Sequence, residues 1–194
     1  MLRTARQLCP TDLQHQSRTF AVKAIHSSFP ASLAYYSPQH KSRLFDYSEA
    51  DIHPDDLDDE GVVVAEDGLV YPSVQSDVSN GAVMLPNTFT MQECVRRYFD
   101  EFLDRVEDGE DMETPQIYTI PKGTEIPSHL ILINDHISRF SLQPSYGMTL
   151  QELNEALDAF FDKHAVKETV ADWLDKNHFK SAVADYAESV WKAK

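Results

Sequence analysis

The sequence has few residues of the types that build disulfide-stapled, phosphate-binding or membrane-spanning proteins. It contains two cysteines, Cys9 and Cys94, and six glycines in 194 residues. Two cysteines are too few for a disulfide scaffold or for a zinc site with four cysteine ligands. No apolar run reaches the ~20 residues that a transmembrane helix needs, so we expect no membrane span. The scarcity of glycine also gives little support to a phosphate-binding loop.

Positive charge is scarce as well. The chain has 17 Lys and Arg against 32 Asp and Glu, and its formal net charge is −15. Because binding to a nucleic-acid backbone depends on Lys and Arg that replace phosphate counterions, we do not expect such binding. An acidic surface suits a basic partner instead. The usual motifs of nucleotide-binding proteins, zinc proteases and serine hydrolases are absent, and no histidine pair has metal-ligand spacing, so no metal is expected.

The charge changes abruptly along the first third of the chain. Residues 1–45 contain six Lys and Arg and one acid, whereas residues 46–67 contain ten acids and no Lys or Arg. We expect residues 1–28 to lie outside the fold. Their composition is typical of a mitochondrial transit peptide, and the alternative is a basic arm on a cytoplasmic protein. The acidic stretch lacks the pattern of a calcium-binding loop and indicates a solvated loop.

Hydrophobic periodicity predicts strands first and helices largely afterwards. Short runs rich in β-branched residues indicate strands at Gly61–Ala65, Leu69–Pro72, Ala82–Pro86, Gln116–Pro121, Leu130–Ile133 and Arg139–Pro144. Thr90 and Thr149 each begin a capping-box pattern, and apolar residues follow at helical intervals. Two shorter amphipathic segments finish the chain, in a helical C-terminal extension over residues 166–194. This order predicts an α+β domain with a mixed or antiparallel sheet core and flanking helices.

One segment carries a more specific signal. Tyr118 to Pro127 reads Tyr-Thr-Ile-Pro-Lys-Gly-Thr-Glu-Ile-Pro. It resembles the aromatic-x-Ile-Pro-x-Gly-Thr-acid-Ile-Pro segment of the ADP-ribosyltransferase-like toxin family first described among type VI secretion effectors. Residues 141–148 and 157–160 keep the family's strand, turn and helix in order, and Glu66–Leu69 and His53–Asp55 resemble segments upstream. On this resemblance the chain is identified as a fungal-type member of that family.

The resemblance implies an ADP-ribosyltransferase-like fold over residues 29–165 and a cytotoxic activity that uses NAD. The chemical task would be cleavage of the nicotinamide glycosidic bond, whose transition state resembles an oxocarbenium ion. Such a site needs groups that fix the dinucleotide and an electronegative group near the developing positive charge. The expected partners are NAD, an acceptor whose identity the sequence leaves open and, as a candidate, an inhibitor protein.

The candidate catalytic residues lie at and just before the late strand. Ser141 and Gln143 alternate with apolar residues, so both could face a cleft, although an ordinary sheet surface would show the same pattern. His136 precedes the strand and could contact a phosphate or carry a proton, although an exposed loop histidine is the alternative. Catalysis is therefore assigned to Ser141, Gln143 and His136.

The candidate NAD-binding residues are Tyr35, Tyr71, Ser79 and Asn80. On the resemblance, Tyr35 stands where the family carries an NAD-contacting arginine, and Gly81–Ala82 stands where it carries a Thr-Ser pair. Ser79 and Asn80 are the nearest polar neighbours of that pair position. Tyr71 could stack on nicotinamide or belong to the core.

Two alternatives to an active enzyme stay open. Tyr35 and Gly81–Ala82 replace side chains that function in active members, which favours a catalytically inactive relative that acts as a binding protein. The acidic surface of such a protein would suit a basic partner. The other alternative is a mitochondrial accessory protein, and it rests on residues 1–28 alone.

Overall fold

The computed structural model describes residues 24–42, 44–46, 61–73, 79–134 and 138–177. Within them the strands are β1 (Ala24–His26), β2 (Leu33–Ser37), β3 (Phe45–Asp46), β4 (Gly61–Val62), β5 (Ala82–Met84), β6 (Gln116–Ile120), β7 (Leu130–Asn134), β8 (Phe140–Pro144) and β9 (Val166–Thr169). The helices are α1 (Phe89–Glu107), α2 (Leu150–His164) and α3 (Val170–Lys176). This is the predicted α+β class. In this part of the chain, no helix is both long and apolar enough to cross a bilayer.

Two antiparallel sheets form the centre of the fold. The larger sheet has the strand order β1-β7-β8-β5, and the smaller has the order β2-β6-β9. An isolated bridge between Ala34 and Leu85 joins them. These two residues exchange backbone hydrogen bonds with N to O distances of 2.7 and 3.0 Å. The sheets therefore meet where β2 runs past the end of β5.

Helices cover both faces of the smaller sheet. On one face, Tyr35 and Tyr118 pack against Phe161 of α2, with ring centroids 5.1 and 5.3 Å from that ring. On the other face, Ala34 and Ile117 join a second core cluster whose helical members are Met91, Val95, Val170, Trp173 and Leu174. Because side chains alternate along a strand, α2 lies on one side of the sheet and α1 with α3 on the other.

The same alternation assigns the faces of the larger sheet. Ala82, Met84 and Leu142 belong to the α2 core. Val83, Ser141 and Gln143 are their neighbours in the chain, so these three side chains point to the opposite face. That face continues the α1 side of the smaller sheet across the Ala34–Leu85 bridge. The polar pair on β8 and helix α1 therefore lie on the same side of the sheets.

Several local predictions differ from the structure. The strand predicted at Leu69–Pro72 is wrong, because Val70 makes only isolated bridges with Val64 and Met148. The last part of the chain was expected to be helical from Val166 on, but Val166–Thr169 is an edge strand paired with β6. At the other end, Ala24–His26 is paired with β7, although the sequence places it in the N-terminal extension.

Residues 1–23 and 178–194 lie outside the described residues. The transit peptide and the final amphipathic segment therefore stay predictions. The division into domains at residues 28/29 and 165/166 stays a prediction as well.

The capping boxes give one confirmation and one correction. Thr149 caps α2 as predicted, since its hydroxyl accepts from the Glu152 N–H at 3.2 Å and Glu152 accepts from the Thr149 N–H at 2.9 Å. The capping box predicted at Thr90 is wrong. Helix α1 begins at Phe89, and its N-cap is Thr88, whose hydroxyl accepts from the Met91 N–H at 3.3 Å.

We expect Thr88→Ala to lower the free energy of unfolding by about 1 kcal/mol, because the first turn of α1 loses its capping acceptor. Thr90→Ala is the matched control. Thr90 is a solvent-exposed residue of helix α1, at a position where alanine is a better helix former than threonine. We therefore expect Thr90→Ala to leave the free energy of unfolding unchanged or to raise it. Urea unfolding of both variants measures the difference. Equal losses would contradict the assignment of Thr88 as the cap.

Candidate active site

The two candidate catalytic residues of β8 lie side by side. Ser141 is 0% exposed and Gln143 is 1% exposed. The Gln143 Nε2 donates a hydrogen bond of 2.6 Å to the Ser141 Oγ. The Gln143 Oε1 accepts a hydrogen bond of 2.7 Å from the backbone N–H of Ser73. Both side chains lie on one face of β8 and are held by hydrogen bonds within the chain, and their catalytic role stays a prediction.

A short segment, Tyr71–Ser73, lies over this polar pair. Gln143 binds the end of this segment through the Ser73 N–H. Asn80 binds its beginning, because the Asn80 Nδ2 donates to the Tyr71 carbonyl at 3.0 Å. Asn80 also accepts from the Val63 N–H at 2.9 Å. Ser79, next in the chain to Asn80, is buried. The fold thus gathers Tyr71, Asn80, Ser141 and Gln143 around one backbone segment.

The ring of Tyr71 remains accessible at the edge of this cluster, with 43% of the residue exposed. Its hydroxyl donates to the Asp67 Oδ2 at 2.7 Å, and this hydrogen bond raises the pKa of Tyr71. The ring lies against Gly147, where a Cβ would approach the Tyr71 Cε1 to 2.7 Å. Glycine at this position leaves room for the Tyr71 ring beside the backbone. Tyr71 is therefore an exposed aromatic surface rather than a core residue.

Tyr35, another sequence-predicted site residue, is not part of this cluster. Tyr35 is 2% exposed, and its ring stacks on Phe161 in the α2 core. Its side chain points away from the α1 side of the sheet, although Tyr35 is among the residues that line the cavity on that side. A role for Tyr35 in NAD binding stays a prediction. His136 lies outside the described residues.

A cavity of about 250 Å³ lies between α1 and the junction of β2 with β5. Its strand wall includes Ala34, Tyr35, Tyr36, Val83 and Leu85. Val83 stands directly opposite Ser141 in the β5–β8 ladder. Side chains of directly opposed residues lie on the same face with Cβ atoms about 4.5–5.5 Å apart. Ser141 is therefore the cross-strand neighbour of a cavity residue, although neither Ser141 nor Gln143 lines the cavity itself.

Helix α1 lines the cavity with residues that the sequence analysis missed. Cys94, Tyr98, Glu101 and Arg105 all contribute to the wall. Their spacing of three or four residues puts them on one face of the helix. That spacing is visible in the sequence, where the apolar residues after Thr90 recur at helical intervals and predict a stripe that faces the core. Only the packing of α1 across the sheet junction turns the stripe into a cavity wall.

The cavity wall carries charge at its outer edge. The Arg105 guanidinium donates through Nε and Nη2 to the Glu110 Oε2 at 2.9 and 2.5 Å. This hydrogen-bonded pair raises the pKa of Arg105 and lowers the pKa of Glu110. Its side chains are 56% and 48% exposed, so the pair contributes little to stability. Arg105 can therefore change partner at small cost.

An aromatic pair forms another part of the wall. The rings of Tyr36 and Tyr98 lie 5.2 Å apart. The Arg97 guanidinium lies 5.0 Å above the Tyr98 ring, and its hydrogen bond with Tyr98 raises the pKa of Arg97. Among the described residues, no group of three or more His, Cys, Asp or Glu could hold a metal ion. The cavity is thus an apolar and aromatic space with charged groups at its edge.

A comparison with known families agrees with this arrangement. The family model described as Tse2 ADP-ribosyltransferase toxin matches residues 31–173, from the start of the β2 region into α3. No curated protein and no solved structure gives a significant match. The matched region contains α1, β8 and the junction of the two sheets. The match agrees with the ADP-ribosyltransferase-like α+β fold that the resemblance implies. The chain therefore belongs to the Tse2 ADP-ribosyltransferase toxin family.

Proposed function

We propose that the chain binds NAD in the cavity between α1 and the β2–β5 junction and breaks the bond between the nicotinamide nitrogen and the ribose C1′. Family membership supports the reaction class. The observation that carries the location is the shared wall, because Val83 lines the cavity and also stands opposite Ser141. The reacting bond would lie near that wall.

The electron pair of the glycosidic bond leaves with nicotinamide, and positive charge develops on the ribose. The acceptor then forms a bond to C1′ and gives up a proton. In this proposal the Gln143 Oε1 and the Ser141 Oγ are the electronegative groups nearest to the developing charge. The Gln143 Oε1 already accepts a hydrogen bond from the Ser73 N–H, which NAD would share or displace.

A binding protein without catalysis is the second candidate. Ser141 and Gln143 are buried and hydrogen-bonded to one another, which is also what a purely structural pair would show. Tyr35 supplies no cation to the site, and its ring belongs to the core. The net charge of −15 would suit a basic partner.

A labelled-NAD assay distinguishes the candidates. We expect the purified full-length chain to release nicotinamide from NAD, and inducible expression in a naive host to arrest growth. NAD binding without turnover, together with normal growth, would favour the binding protein. If wild-type protein neither binds nor turns over NAD, the enzyme proposal is wrong.

A further inference from the structure

We infer that α1 supplies the charged groups that recognise NAD, with Arg105 binding the diphosphate and Glu101 accepting hydrogen bonds from a ribose. This inference rests on the proposed function and adds the residues that hold the dinucleotide. Arg105 is the one cation and Glu101 the one acid among the described residues that line the cavity. Neither residue belongs to the strand position where the resemblance places an arginine.

The site needs a local cation because the protein repels anions overall. The NAD diphosphate is anionic, and the chain has a net charge of −15. A planar guanidinium can bind phosphate oxygens through two N–H groups at once, which a distant or point-like charge cannot do. Strand β2 does not provide this group, because Tyr35 stands at the position where the resemblance places an arginine. Arg105 is the group of the cavity wall that can do so.

The present contacts of Arg105 leave it able to bind a ligand. Its partner Glu110 lies beyond the end of α1 and does not line the cavity. A phosphate would accept the same number of charge-assisted hydrogen bonds from Arg105 that Glu110 accepts now. Because the present pair is exposed and contributes little to stability, exchange of Glu110 for phosphate costs little.

The positions along α1 match the order of groups in the dinucleotide. Cys94 and Arg105 both line the cavity, and they lie eleven residues apart, about 16 Å along the helix axis at 1.5 Å per residue. Glu101 lies between them on the same helix face. In this proposal a ligand whose reacting bond is near Val83 extends along α1, with its ribose at Glu101 and its diphosphate at Arg105.

Matched variants of α1 test the assignment through NAD affinity. We expect Arg105→Gln to weaken NAD binding about 10- to 100-fold and Glu101→Gln to weaken it about 10-fold, the effects of losing hydrogen bonds to charged groups. The KM for NAD should rise with little change in kcat. Glu110→Gln is the control, since it removes the present partner of Arg105 but no cavity residue, and its NAD affinity should equal or exceed that of wild type.

Thiol labelling locates the ligand independently of turnover. In a Cys9→Ser background, NAD should slow the reaction of Cys94 with N-ethylmaleimide, and Arg105→Gln should reduce this protection at the same NAD concentration. If wild type binds and cleaves NAD while Arg105→Gln and Glu101→Gln keep wild-type affinity, the inference is overturned and the proposed function stands. If wild type shows neither binding nor turnover, both fail together.

Discussion

Replacing Gly81 with alanine is expected to disrupt the junction of β5 and β8 and to lower the free energy of unfolding by about 3 kcal/mol or more. A Cβ at position 81 would lie 2.2 Å from the Leu142 carbonyl oxygen and 2.8 Å from the Gln143 Cα. Both are backbone atoms of β8, so no side-chain rotation relieves the clash. The strands must separate instead, and the Ser141–Gln143 pair moves with them.

Gly123→Ala is a suitable control for this experiment. A Cβ at Gly123 meets no atom within 4 Å, although its φ of +84° makes any side chain strained. We expect it to cost only about 1–2 kcal/mol, the price of the left-handed backbone conformation. Thermal and urea unfolding measure both variants. If Gly81→Ala costs no more than Gly123→Ala, the close approach of β5 to β8 is wrong.

The Gly81 result also bears on the family pattern. On the resemblance, Gly81–Ala82 replaces a Thr-Ser pair of active members. With this backbone, serine or threonine at position 81 would meet the same β8 atoms as alanine. A hydroxyl at position 81 therefore requires a different spacing of β5 and β8. The hydroxyl group nearest to the proposed reaction centre comes instead from Ser141.

Gln143→Ala is expected to lower the rate of nicotinamide release by about 100-fold or more, a typical loss when a preorganised group at the developing charge is removed. The variant should also lose about 1–3 kcal/mol of stability, because Ser73 and Ser141 each lose a hydrogen-bond partner. Activity must therefore be measured well below the melting temperature. Calorimetry of NAD binding separates a loss of catalysis from a loss of affinity.

Asn154→Ala is the matched control for Gln143→Ala. Its side-chain amide also holds a backbone segment, since the Asn154 Oδ1 accepts from the Leu44 N–H at 2.9 Å and its Nδ2 donates to the Leu44 carbonyl at 3.1 Å. Asn154 lies on α2, on the other side of the sheets from the cavity. We expect a similar loss of stability and an unchanged kcat. If Gln143→Ala keeps wild-type kcat as well, Gln143 only anchors Ser73, as the binding-protein candidate requires.

Patterns within one element were predictable because the physical cause is local. The alternation of Phe140, Ser141, Leu142 and Gln143 put the two polar side chains on one face, and a strand has no other way to arrange them. The Thr149 capping box was equally direct, since both partners lie within one turn of α2. At the start of α1 the same motif gave a wrong prediction. Thr88 and Thr90 can both serve as the N-cap of the helix, and only the path of the chain from β5 selects Thr88.

Non-local pairing explains the strand errors. Val166–Thr169 forms a strand because β6 offers a free edge to it, from Gln116 to Thr119. Nothing within those four residues reveals that edge. Leu69–Pro72 has a sequence typical of a strand, but its backbone is held by side chains and isolated bridges rather than by a neighbouring strand.

The sequence by itself determined the α+β class, the family resemblance around Tyr118 to Pro127 and the shared face of Ser141 and Gln143. These depend on local periodicity and on short motifs, which the chain carries in order. Only the tertiary structure decided that Tyr35 belongs to the core and that Glu101 and Arg105 line a cavity beside Val83. The cavity joins residues from β2, β5 and α1 that are distant in sequence, and the crossing of α1 over the sheet junction brings them together.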